Sequence, residues 1–155
     1  MSKRPRPAVL AGRWTGVNCL WMSPDDPPRE SPTGAVVAAA ADGACATLEY
    51  TWAEGGRPHA GLMVLRHADE PGVQDVAWID TFHTGGRFML LDGESDARHR
   101  YAAMGRYSVP QGPDWGWRIV LDVEGPDRFA LLMYNVAPDG QVYPAVEARY
   151  ARDTN

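Results

Sequence analysis

A chain of 155 residues is long enough to form one domain and to bury a core without disulfide staples. Its net charge of -5 argues against a general nucleic-acid binder, which needs a basic face to displace counterions, and no apolar run is long enough to cross a bilayer as a helix. Two cysteines, Cys19 and Cys45, make no framework and sit in apolar surroundings, as small buried thiols do.

Residues 1–9 carry the only basic cluster, Lys3-Arg4-Pro5-Arg6, and read as a frayed N-terminal tail. No signal-type apolar core develops before Gly12-Arg13-Trp14, so a cytoplasmic protein is expected. A single domain over residues 10–155 follows. Turn formers recur along it at roughly ten- to fourteen-residue spacing, from Asp42-Gly43 through Gly85-Gly86 to Asp139-Gly140, with β-type segments between them. The first strand is predicted over 12–23. The prolines at 24, 27, 28 and 32 then make 23–32 a long loop over one end of the molecule, because proline has no backbone donor. The second strand, 33–41, contains an alanine run that favours helix; it is short and runs into Asp42-Gly43, so it is assigned as strand. Further strands follow at 44–54, 58–67, 74–83, 87–94, 100–108, 115–124, 128–136 and 141–150. In the eighth, Trp115, Trp117, Ile119, Leu121 and Val123 share one face, the period-two signal of a strand with one apolar side. The ninth is apolar on both faces, which suits a strand covered on both sides. The class is all-β: a single antiparallel up-and-down barrel of about ten strands.

The run Leu10-Ala11-Gly12-Arg13-Trp14-Thr15-Gly16 resembles the Gly-x-Trp start of lipocalin-like (calycin) barrels. That resemblance implies that Trp14 plugs the closed end and that a basic side chain of the last strand packs across it; Arg149 is the expected partner, with Arg152 just beyond. Over most of the chain, Glu49-Tyr50-Thr51-Trp52, Trp78-Ile79-Asp80-Thr81-Phe82-His83, Gly93-Glu94 and Trp115-Gly116-Trp117-Arg118 look like a bacterial domain-of-unknown-function family with a lipocalin-like barrel. That family has no settled activity, so the likeness implies a fold and leaves the chemistry open. More distantly the chain is similar to nitrobindin-type and fatty-acid-binding-protein-like barrels. The nitrobindin type takes haem iron on a histidine in the C-terminal part of the chain, whereas the histidines here are His59, His67, His83 and His99. No cofactor is therefore expected.

Chemistry concentrates in the stretch Trp78 to Gly86. An Asp80–His83 pair would act as an oriented base, the carboxylate fixing the tautomer of the imidazole. Residues three apart point to opposite faces of a regular strand, so the two meet only if the strand ends or bulges first. The expectation is that Trp78, Asp80 and Phe82 share a face, that His83 sits at the barrel rim, and that Asp80 takes its donors from Arg118, Tyr50 or a tryptophan N–H. The histidines carry no metal-ligand spacing: His59 and His67 would lie more than about 20 Å apart along one strand. No nucleophile elbow or phosphate-binding glycine loop is present.

Tryptophans and tyrosines recur in the strands, bulky rings with a polar tip, and either fill the core or line a cavity. Strand charges at Glu49, Asp80, Arg106, Arg118, Glu147 and Arg149 are solvated if outward and must pair if inward. If Arg149 covers Trp14 from inside, Tyr143 and Glu147 face inward too and the cavity is partly polar. The predicted ligand-binding set is Tyr50, Trp52, Trp78, Asp80, His83, Trp117, Arg118 and Tyr134, with no metal ligand and no catalytic residue. The expected activity is binding of a small, partly apolar molecule, without nucleic-acid or membrane partners. Rival readings are a small cavity enzyme of isomerase, cyclase or hydrolase type using Asp80 and His83, a haem or metal protein, and a packed barrel acting as a homodimer.

Overall fold

The computed structural model describes residues 4–154. Ten strands run β1 (Gly12–Leu20), β2 (Arg29–Ala40), β3 (Cys45–Glu54), β4 (Arg57–Arg66), β5 (Val76–Asp80), β6 (Met89–Glu94), β7 (Tyr101–Tyr107), β8 (Trp115–Gly125), β9 (Arg128–Val136) and β10 (Val142–Arg152). Each pairs antiparallel with its sequence neighbours, and β1 pairs with β10 to close the barrel. Closure leaves no sheet edge to protect. Alternation decides which face turns in. In β8, Trp117, Ile119 and Leu121 are buried in the interior, stacked in layers with Phe129, Leu131 and Met133 of β9. β9 is also buried outside, where Ala130 and Leu132 join Ala102 and Val120 under Tyr134, which accounts for its apolar residues on both faces. The alanine run is strand: Ala35 and Val37 point in, Val36 and Ala38 point out.

The second strand starts earlier than its prolines imply. Pro32 lies within β2, opposite Val17 of β1. Pairing of β2 with β3 begins only at Gly34, so at Pro32 the strand has a neighbour on one side alone. A missing donor is tolerated at such a local edge.

In an up-and-down barrel the start of β1 and the ends of the even-numbered strands share one end. Here that end is closed. Trp14 is fully buried, donates from Nε1 to the Leu10 carbonyl at 2.8 Å, and meets the edge of Phe129 at 4.8 Å. The cation across its face is Arg152, 4.3 Å from the ring centroid, and not Arg149. Register explains the difference. Arg152 stands opposite Trp14 and shares its face, whereas Arg149 stands opposite Val17, an outward position, and pairs there with Glu147 and Glu124. Glu147 is therefore outside as well; the irregularity between Pro144 and Val146 sets this parity. The glycine of Gly-x-Trp has a direct reason. Gly12 has φ +136°, and a Cβ there would lie 2.6 Å from Arg152 Nη1, which passes over it to reach the ring.

The N-terminal segment is docked from Arg4 onward, contrary to the reading of residues 1–9 as a frayed tail; Lys3 lies outside the described residues. Arg4 is buried, with Nη1 2.7 Å from Asp75 Oδ2 and its guanidinium 3.7 Å above the Tyr101 ring. Asp75 also binds Arg66 through Oδ1 at 2.6 Å and accepts the Gly72 N–H. Burial alone would raise the Asp75 pKa; the Gly72 N–H and the two guanidiniums outweigh it and hold the carboxylate below its usual range. Composition marked Arg4 as solvated; the buried Asp75, just before β5, holds it. Among the described residues no helix is long and apolar enough to cross a membrane.

Candidate functional site

The opposite end of the barrel carries the candidate site, and Asp80 organises it. β5 stops at Asp80 because its side chain bonds the chain that follows: Oδ1 accepts the backbone N–H of Phe82 at 2.7 Å and of His83 at 2.8 Å. This is the turn chemistry of an aspartate, and it ends the predicted strand three residues early. Oδ2 accepts the Tyr50 hydroxyl at 2.6 Å and Trp52 Nε1 at 3.3 Å, and Trp78 Nε1 donates to the same Tyr50 oxygen at 2.9 Å. Room for Tyr50 comes from Gly61, the residue between it and Asp80 in register: a Cβ there would sit 2.2 Å from the phenol oxygen. Burial, and secondarily the Asp80 charge, push the Tyr50 pKa well above its ordinary value, so the phenol stays a donor.

Asp80 is thus fully committed to four donors. It makes no side-chain hydrogen bond with the His83 imidazole, so the oriented-base arrangement is not formed. The turn instead presents Phe82 and His83 to an aromatic stack. The His83 ring lies 5.4 Å from Trp52 at 20° and 5.3 Å from Trp117, and Trp117 stacks on Trp78 at 5.4 Å and 11°.

Over this stack lies a pocket of about 620 Å³. Trp78, His83 and Trp117 form its floor, and Met89, Tyr107 and Asn135 its walls. Exposed Arg87, Phe88 and Leu90 on one side and Arg106 and Ser108 on the other make the mouth. The mouth opens where the wall is weakest. β6 pairs with β7 only at Asp92–Met104, Gly93–Ala103 and Glu94–Ala102, so ladder pairing stops short of residues 88–90 and 106–108. Below the floor the interior is filled by side chains such as Leu48, Met63, Leu131 and Tyr150.

Of the predicted binding set, Trp78, His83 and Trp117 line this pocket. Tyr50, Trp52 and Asp80 lie behind the floor as its support. Arg118 and Tyr134 face each other on the outside of the barrel, Arg118 bonded to Glu94 at 2.9 Å; they alternate with the inward Trp117 and Met133. Missed were Arg87, Met89, Arg106, Tyr107, Ser108 and Asn135. The meander itself could have found them: in an up-and-down barrel the hairpin after β5, the end of β7, the start of β8 and the end of β9 meet at one rim. Among the described residues no group of three or more histidine, cysteine or acidic side chains could hold a metal ion.

Burial in the stack pushes the His83 pKa down from 6.5 to about 4; the Asp80 charge offsets part of this and His59 adds to it. The unfolded chain takes up this proton near pH 6.5 and the folded one only near 4. Stability is therefore full above pH 6.5 and falls as pH drops toward 4, by on the order of 3 kcal/mol. Urea unfolding at pH 7 and pH 4.5 should show a smaller acid loss for His83→Gln than for the unaltered protein; equal losses would mean the ring is protonated in the folded state.

Fold and site together define a closed ten-stranded up-and-down barrel, plugged at one end by its own N-terminal segment and carrying an aromatic-floored pocket at the other. Residues 7–152 match the family model described as protein of unknown function (DUF1579), and the chain belongs to that family. No curated protein matches it.

Proposed function

We propose that this protein is a cytoplasmic, lipocalin-like carrier or sensor that binds one small, flat, partly apolar molecule over the Trp78–His83–Trp117 floor. The observation that carries this reading is a volume of about 620 Å³ set over three rings in mutual contact, with Trp78 fixed by its bond to Tyr50 and His83 by its backbone bond to Asp80. Ligand sites of about 300–1,000 Å³ with aromatic walls and a few polar groups are the usual form of small-molecule recognition. Rigid rings also lose little conformational freedom on binding, so the floor is pre-organised for a planar partner.

The test uses N-phenyl-1-naphthylamine, a neutral planar dye whose emission rises in apolar sites. Titration should give saturable one-to-one binding, weakened at least tenfold in Ser108→Trp, which fills the mouth from an exposed position. No binding, or binding indifferent to Ser108→Trp, would defeat the assignment. Native mass spectrometry of freshly purified protein would then identify any cellular ligand retained.

A further inference from the structure

The polar groups around the pocket are unbalanced. Arg87 and Arg106 flank the mouth from opposite sides. Neither makes an ion pair among the described residues, although the chain carries a net charge of -5 and Arg66, Arg118 and Arg149 each find an acid. No carboxylate lines the pocket. On the floor, Trp117 is 7% exposed and its Nε1–H is buried with no partner. On the wall, Asn135 spends its amide oxygen on the Tyr107 hydroxyl, which leaves its NH2 group to donate. The side chains around the pocket thus offer two guanidiniums and an amide NH2, with no carboxylate to neutralise them.

Resting on the proposed binding function, we infer that the ligand is an anion: a planar apolar body bearing a carboxylate or chemically similar acceptor group. Arg87 and Arg106 bind that group at the mouth, and the Asn135 amide meets an oxygen atom nearer the floor. Two guanidiniums at the mouth of a pocket floored by low-dielectric aromatic rings attract an anion more strongly than the same charges in open water. A planar oxyanion also matches the fork of N–H donors on each arginine.

The experiment compares 1-anilinonaphthalene-8-sulfonate with N-phenyl-1-naphthylamine, which share one aromatic body and differ in the anionic group. Both arginines are exposed, so Arg87→Gln/Arg106→Gln should fold as the parent does, and its unfolding midpoint checks this. The double variant should lose at least tenfold in affinity for the sulfonate dye and stay within twofold for the neutral dye. Raising salt from 50 to 500 mM should weaken only the sulfonate dye. If the neutral dye binds and the sulfonate dye does not, or if both dyes respond alike to the double variant, the anionic assignment fails while the pocket remains a binding site. If neither dye binds, the binding function falls and this inference with it.

Discussion

Trp14→Ala will destabilise the protein by about 3–5 kcal/mol in denaturant unfolding, the range for removing a large aromatic ring from a packed interior. Three losses combine. The ring is 1% exposed, so its removal leaves a cavity that the barrel end cannot collapse to fill. The Leu10 carbonyl loses the indole donor at 2.8 Å. The Arg152 guanidinium, 4.3 Å from the ring, is left over empty space, though it keeps its bonds to the Ala11 and Pro126 carbonyls. Arg149→Ala, by contrast, removes only exposed ion pairs, with Glu124 and Glu147, and should cost less than about 1 kcal/mol. A Trp14→Ala cost below about 1 kcal/mol, or an Arg149→Ala cost equal to it, would show that the closed end is not held by this plug.

Asp80→Ala will cost about 3–5 kcal/mol, because it leaves the Tyr50 hydroxyl and the Trp52, Phe82 and His83 N–H groups without their acceptor in or beside the core. Asp80→Asn is the sharper variant. Its carbonyl oxygen still serves the two backbone N–H groups, but its NH2 then faces two donors, Tyr50 and Trp52. Tyr50 can turn its oxygen to accept from the NH2, but the Trp52 N–H loses its acceptor, for about 1–3 kcal/mol. Both variants should also blur the near-ultraviolet circular dichroism of the stacked tryptophans, since Trp78 is fixed through Tyr50. An Asp80→Asn protein as stable as its parent, with weakened binding of N-phenyl-1-naphthylamine, would return Asp80 to a direct ligand contact.

This corrects the role that residue type alone suggested. An aspartate three residues before a histidine reads as chemistry, and the pairing is indeed intimate, but it runs from carboxylate to backbone N–H. Nothing local distinguishes a carboxylate that orients an imidazole from one that caps a turn. The deciding partners, Tyr50 and Trp52, are about thirty residues away in sequence, across two strand pairings.

What the chain order determined by itself is the barrel and its inner face. Period-two alternation and regularly spaced turn formers are local properties, so the strands, the up-and-down topology, the buried Trp14, Trp78 and Trp117 and the inward Asp80 were all legible. What only tertiary structure decided is register and closure. A bulge between Pro144 and Val146 sends Arg149 outside and leaves Arg152 to cover Trp14; ladder pairing of β6 with β7 stops after three residue pairs and opens a mouth between Arg87 and Arg106; Asp75 draws Arg4 down onto the closed end. Each depends on residues far apart in sequence meeting across a sheet. There, a one-residue slip reverses every side chain, and the choice between registers rests on the summed packing of the whole barrel.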